Sequence, residues 1–180
     1  MRGQQSPAHY TAGVNARYKV GIISISTSRF EKFGKVKVPE EAEDVSGRVA
    51  IDLLENAGHK VHSYALISDE TESITGAITT VLRDVDAIIT TGGTGLAVRD
   101  VTIEAVQKLL EKEIPGFGEF FRRISYDEIG SSAMLTRAAS GIIGRTAIFC
   151  LPGSPSAVKL AMETLILPEL PHILLHVLEG

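Results

Sequence analysis

The sequence predicts an α/β fold: a three-layer α/β/α sandwich around a mostly parallel sheet, with an antiparallel hairpin at one side. Three observations carry this reading. Residues 20–25, 61–67 and 86–89 are strand-length segments rich in apolar residues, and the first is nearly continuous, as a buried parallel strand requires. Each is followed by a stretch with helical spacing of apolar residues, so the order is strand, helix, strand, helix. Near the end, residues 141–143 and 146–150 flank Gly144-Arg145, the pattern of a hairpin.

Composition bounds what such a fold does. The chain has 180 residues and is 44% hydrophobic, enough for one domain with a substantial core. Its net charge of -4, with no long basic run, argues against nucleic acid as a partner. One cysteine, Cys150, excludes an intrachain disulfide and suits a reducing cytoplasm. Apolar neighbours (Ile148, Phe149, Leu151) mark it as a buried thiol rather than a nucleophile. No apolar run of transmembrane length and no apolar signal core stand out, so a cytoplasmic protein with no membrane association is expected.

The elements follow in order. Residues 1–16 are polar and aperiodic and read as a mobile tail, leaving 17–180 as the folded domain. After the first strand comes Ser26-Thr27-Ser28-Arg29, then a charged, Pro-containing segment, 30–44, that reads as a long loop. Val45, Val49, Leu53 and Leu54 form a helical stripe, with Asp44 or Ser46 available to cap it and Gly58 to end it. The second strand leads into Ser68-Asp69-Glu70-Thr71-Glu72, where Asp69 and Glu72 have capping-box spacing. Ile74, Ile78, Val81 and Leu82 give the next helix its buried face. The third strand runs into Thr90-Thr91-Gly92-Gly93-Thr94-Gly95 and a helix over 103–110. Residues 114–118 (Ile-Pro-Gly-Phe-Gly) read as a break, followed by short helices around 117–124 and 131–138. Phe117, Phe120 and Phe121 suit either a core or an exposed oligomer patch. After the hairpin, Pro152-Gly153-Ser154-Pro155 turns into a helix over 156–163, and a last helix covers 165–178.

In parallel βα units the residues just after each strand gather along one sheet edge, where ligands bind. Four such loops carry polar residues: 26–29, 68–70, 91–100 and 152–155. They predict one pocket lined by glycine backbone, two carboxylates and one or two arginines. Glycine N–H groups and helix N-termini favour phosphate. Asp69 and Asp100 could jointly hold Mg2+, a hard ion that bridges carboxylate to substrate phosphate. Such a set suits phosphoryl or nucleotidyl transfer. Each piece has a structural alternative: Asp69 and Asp100 as helix caps, Arg99 as a surface charge, the Gly-Ser-Pro segment as a plain turn. No Gly-Lys-Ser/Thr follows the glycines, and Gly92-Gly93-x-Gly95 is not the Rossmann spacing, so a P-loop and an NAD turn are both disfavoured. His59, His62, His172 and His176 do not read as a ligand cluster. The last two are four apart, but with no Glu or Cys expected beside them they do not suggest zinc.

The combined motifs resemble the MoaB/Mog family of molybdenum cofactor biosynthesis proteins. They are residues 90–95, Arg99-Asp100-Val101-Thr102 with Glu104-Ala105, residues 115–119, Ser140-Gly141, residues 151–155 and Asp44-x-Ser46-Gly47. The resemblance spans about residues 19–180. It implies a trimeric or hexameric protein that binds molybdopterin and transfers AMP from Mg-ATP to the molybdopterin phosphate, releasing pyrophosphate. The family's catalytic aspartates fall on Asp69 and Asp100. Thr91, Gly92, Gly93, Thr94 and Gly95 would hold the pterin-side phosphate with Arg99 nearby; Ser26, Ser28, Pro152, Gly153 and Ser154 would lie nearer the nucleotide. Many relatives have Asp after the serine that ends the first strand, whereas this chain has Thr27. Some relatives lack the Arg-Asp pair and look silent; keeping Arg99 and Asp100 favours an enzyme over a molybdopterin carrier or an oligomeric scaffold.

Overall fold

A computed structural model describes residues 16–179. The expected tail lies almost wholly outside the described residues. Six strands form one sheet in the order β2-β1-β3-β6-β5-β4. β1 (Lys19–Ile25), β2 (Lys60–Ile67), β3 (Ala87–Thr91) and β6 (Thr146–Leu151) are parallel neighbours. β5 (Ala139–Ile143) runs antiparallel to β6, which confirms the expected hairpin. β4 (Lys112–Glu113) extends the antiparallel edge by two residues, too few to leave a periodic signal.

Strand alternation sorts the core into two layers. Val20, Ile22, Ala87, Ile89, Ala147 and Phe149 point to one face, where α2 (Val45–Asn56), α5 (Pro115–Ile129), α6 (Pro155–Ala161) and α7 (Leu167–Glu179) pack. Ile23, Ile25, Ile88, Ile148 and Cys150 point to the other, covered by α3 (Thr71–Val81) and α4 (Thr102–Gln107). Cys150 is fully buried, and burial pushes its thiol up to about 12, as an inert core residue should be.

Four local expectations change. Segment 30–44 is only partly a loop: a short helix, α1 (Thr27–Phe33), runs into it and a 3-10 turn, Pro39–Ala42, lies within it. Ser26 caps α1 by accepting from the Arg29 N–H at 3.4 Å, and Gly34, at φ 68°, ends it. Only Phe30 and Phe33 of α1 reach the core, so no apolar stripe announced it. Residues 115–129 form one helix instead of a break and a short helix. Pro115 occupies its first turn, where no donor is lost. Gly118 is needed there because a Cβ would sit 2.7 Å from the Ala138 carbonyl oxygen. Residues 130–135 make a 3-10 turn rather than the start of an α-helix over 131–138. At the C-terminus, α6 and α7 join through a π turn, Met162–Ile166. Pro168 and Pro171 withdraw two N–H donors, and the ladder shifts just before the first of them.

That joined helix, Pro155–Leu178, is 24 residues long and apolar enough to cross a membrane by length and composition, contrary to expectation. Its buried stripe of Val158, Ala161, Met162, Ile166, Leu170 and Leu174 packs on the sheet, so it serves as a core helix of this fold.

The three phenylalanines divide. Phe117 and Phe121 are core, their rings 6.3 Å apart, whereas Phe120 is 64% exposed. Phe121→Ala should lower unfolding stability by about 3–5 kcal/mol. Phe120→Ala should lower it far less, since the ring is exposed on the single chain. Urea titration followed by circular dichroism distinguishes the two.

Candidate functional site

Because β2, β1, β3 and β6 are adjacent and parallel, their carboxyl ends share one edge. The four predicted loops meet there. The Ser26 N–H donates to the Ile67 carbonyl at 3.0 Å, and the Gly92 N–H to the Leu151 carbonyl at 3.0 Å. Thr91 Oγ1 donates to the Pro152 carbonyl at 3.3 Å.

The glycine turn is tied from both sides. Gly92 and Gly93 have φ of 103° and 63°, a region that favours glycine. A Cβ on Gly92 would overlap the Ile25 carbonyl oxygen, and one on Gly93 would overlap both Asp69 Oδ1 and Thr102 Oγ1. Gly153 lies against Gly92, its notional Cβ 3.3 Å from the Gly92 Cα. Buried Thr102 closes the turn, donating from Oγ1 to the Gly92 carbonyl and from N–H to the Gly93 carbonyl, both at 3.0 Å. Thr91 and Thr94 are buried, while Gly95 and Arg99 are exposed.

Neither candidate aspartate is a helix cap. The N-cap of α3 is Glu70, without a side-chain cap bond, so the Asp69–Glu72 box does not form. The N-cap of α4 is Val101; Asp100 instead accepts the Ala97 N–H at 2.9 Å within its own loop. Asp69 Oδ1 is buried with no hydrogen-bond partner. Burial first, and the Asp100 charge second, raise the Asp69 pKa; a Val101 N–H and the Arg99 charge pull it back. A carboxylate oxygen left bare beside a second carboxylate could hold a hard cation. Among the described residues no group of three or more His, Cys, Asp or Glu is suited to a metal, so any further ligands come from water or a substrate.

The serines take up backbone tasks. Ser26 caps α1, with its Oγ 3.4 Å from exposed Ser28. Ser154 caps α6, accepting from the Ala157 N–H at 3.3 Å. Three further residues support the site without having been predicted to. Thr27 Oγ1 accepts the Asp69 N–H at 3.0 Å, which fixes the peptide that carries the aspartate; the departure from the resembled pattern at Thr27 was the available signal. Arg137 donates to the Gly95 carbonyl at 3.0 Å and pairs with Glu104, bracing the turn from outside. Ser46 donates to the Gly153 carbonyl at 2.7 Å. Two residues before it, buried Asp44 accepts from Tyr64 Oη at 2.8 Å, and its other oxygen lies 3.8 Å from Arg29. The Asp44-x-Ser46-Gly47 motif was the signal for this cluster; Asp44 itself makes no side-chain cap to α2.

This geometry has counterparts of known family. The probable molybdopterin binding domain of molybdenum cofactor biosynthesis proteins matches residues 21–172. Molybdenum cofactor biosynthesis protein B of Bacillus cereus is 53% identical over 155 residues, 84% of this chain and 86% of that one. The chain belongs to the MoaB family. A crystal structure of a molybdenum cofactor biosynthesis protein B superposes with a TM-score of 0.82 at 49% identity, covering 92% of this chain and 98% of the other. The tungsten cofactor synthesizing protein MoaB of Pyrococcus furiosus gives 0.79 at 37% identity, covering 89% and 97%. The α/β architecture is thus a shared MoaB feature, and molybdenum or tungsten cofactor synthesis is the family's setting.

The raised Asp69 pKa has a stability consequence. Its charged form is disfavoured in the fold, so the folded chain is destabilised once pH rises above the unfolded carboxylate value and through the folded one. Asp69→Asn should therefore raise the melting temperature at neutral pH, with the gain shrinking as pH falls toward about 4. Thermal melts across that range test it; a gain that is independent of pH would contradict the cause given.

Proposed function

We propose that this MoaB-family chain is a cytoplasmic molybdopterin adenylyltransferase, transferring AMP from ATP to the molybdopterin phosphate. The observation that supports it most is the bare, buried Asp69 Oδ1 placed beside Asp100 at the end of the glycine turn. In this reading a molybdopterin phosphate oxygen attacks the α-phosphorus of ATP. The new P–O bond forms as the bond to the bridging oxygen breaks, and pyrophosphate leaves with that oxygen.

The chain's own residues have defined tasks. Asp69 and Asp100 would hold Mg2+, which would supply charge neutralisation for the substrate phosphates. Gly92, Gly93 and Gly95, with Thr94 between them, bring the backbone of the turn close to the pterin-side phosphate. Arg99, exposed beside the turn, adds positive charge for the same phosphate. Pro152 and Gly153, with the caps Ser26 and Ser154 and exposed Ser28, shape the nucleotide side. Thr27 and Arg137 keep these elements in register and touch no reacting atom.

Incubation with molybdopterin, Mg2+ and ATP should yield adenylylated pterin and pyrophosphate. Asp69→Asn and Asp100→Asn should each lower turnover by at least about a hundredfold, about 2.7 kcal/mol of barrier, while molybdopterin binding survives. Pterin binding without any product from the unaltered chain would instead support a carrier or scaffold. Thr27→Ser should retain turnover and Thr27→Val should lose it, since only the hydroxyl can accept the Asp69 N–H.

A homo-oligomer, a trimer or hexamer, belongs to the same proposal. Phe120, Tyr126, Ile129, Met134 and Leu135 leave an apolar surface on and after α5. Phe120→Asp with Met134→Asp should reduce the particle mass in sedimentation equilibrium; a strict monomer before substitution would contradict the proposal.

A further inference from the structure

A guanidinium with no assigned task stands just beyond the end of the first strand. Arg29 lies in the first turn of α1, its backbone N–H held by the Ser26 cap. Phe30 and Phe33 of the same short helix pack against the core and seat it on the sheet. The Arg29 side chain is 37% exposed, and its Nη1 stands 3.8 Å from Asp44 Oδ1. That is an ion pair without a hydrogen bond, and among the described residues nothing accepts a hydrogen bond from this guanidinium. Arg48 and Arg123 differ: carboxylates one turn along their own helices take up their N–H groups.

Asp44 anchors this charge. Its side chain is fully buried at the start of α2, where Oδ2 accepts from Tyr64 Oη at 2.8 Å. Burial and the Asp44 charge push the Tyr64 ionisation far above its ordinary value, so the hydroxyl stays a donor. Gly47 packs against both: a Cβ there would overlap Asp44 Oδ2 and come within 2.8 Å of the Tyr64 ring. Two residues after Asp44, Ser46 donates to the Gly153 carbonyl at 2.7 Å. A fixed carboxylate thus holds the guanidinium beside the Ser26–Ser28 turn and the helix start that carries Gly153, with part of its surface open to solvent.

We infer that Arg29 binds the leaving-group phosphates of the nucleotide, with Asp44 holding its guanidinium in place. The inference rests on the adenylyl-transfer reading and deepens it. A guanidinium is a forked donor matched to pairs of phosphate oxygens, whereas adenine and ribose offer it no anion. Its neighbours are the segments assigned to the nucleotide, not the glycine turn assigned to the pterin phosphate. When the bond from the α-phosphorus to its bridging oxygen breaks, pyrophosphate departs with that oxygen and gains negative charge. A guanidinium set in advance beside it favours that step. Arg29 touches the departing group; Asp44 acts through Arg29 and is a positioning residue.

The test is calorimetric titration of the full chain, in Mg2+, with ATP, inorganic pyrophosphate and AMP. Arg29→Gln should weaken ATP and pyrophosphate binding by at least about tenfold while AMP binding stays within about twofold. Arg29→Lys should recover part of the loss, since it restores the charge without the fork. Asp44→Asn should weaken pyrophosphate and spare AMP, and should add no further loss to Arg29→Gln. Where Asp44→Asn does not fold, the two Arg29 variants, at a partly exposed position, carry the test. Arg83→Gln, exposed before the start of β3, makes the same charge change and should alter none of the three. Unchanged pyrophosphate affinity in Arg29→Gln, an equal loss for AMP, or no pyrophosphate binding by the unaltered chain would overturn the inference. The two readings fail separately. Adenylylated pterin formed at full rate by Arg29→Gln would remove this role and leave the transfer; Arg29-dependent pyrophosphate binding without any adenylylated pterin would do the reverse.

Discussion

Gly93 is wedged between the Asp69 carboxylate and the Thr102 hydroxyl, and the candidate site depends on that fit. No side chain can occupy the wedge, so the third strand's turn and the second strand's aspartate are locked at one distance. Thr102 then fastens the turn to α4, and Thr27 fastens the aspartate to α1. Four strand ends that are scattered in sequence are thereby held as one rigid rim, with preorganised amides and carboxylates rather than mobile ones.

The rim carries an electrostatic cost. Asp69 Oδ1 and Asp44 Oδ1 are both buried without a hydrogen-bond partner. Asp44 has a neighbouring guanidinium and a tyrosine hydroxyl, whose own ionisation is pushed far above its ordinary value by burial and by the Asp44 charge. Asp69 has less compensation within the chain. Uncompensated buried carboxylates lower stability, and they persist where a ligand or a function balances them. This contrast separates a carboxylate used to join elements from one suited to bind.

The parallel sheet, the hairpin and the edge placement of Asp69, Asp100 and the glycine turn were legible because strand runs and strand-end polar residues are local signals. α1 was not, since seven residues with two core contacts, Phe30 and Phe33, show no period. α5 was hidden by Pro115, Gly116 and Gly118, which read as breakers although the first is harmless at a helix start and the last answers a close approach. Thr27, Ser46 and Arg137 act on partners 42, 107 and 33–42 residues away, and such pairings have no signature along the chain. Glu169 reaches His172 from one turn before it, a contact that the spacing of the two histidines alone does not show.

β6 enters the sheet between β3 and β5, although more than fifty residues separate it from β3 in sequence. While the chain is being synthesised, β1, β2 and β3 can pair as soon as they emerge, yet one flank of β3 then presents unpaired amides next to Ile88 and Ile89. That flank is closed only when residues 146–151 arrive and complete the ladder. The glycine turn gains its Leu151 and Pro152 partners at the same moment. Maturation of the binding rim and protection of the growing chain from sticking to its neighbours are therefore a single late event, governed by the release of one six-residue strand.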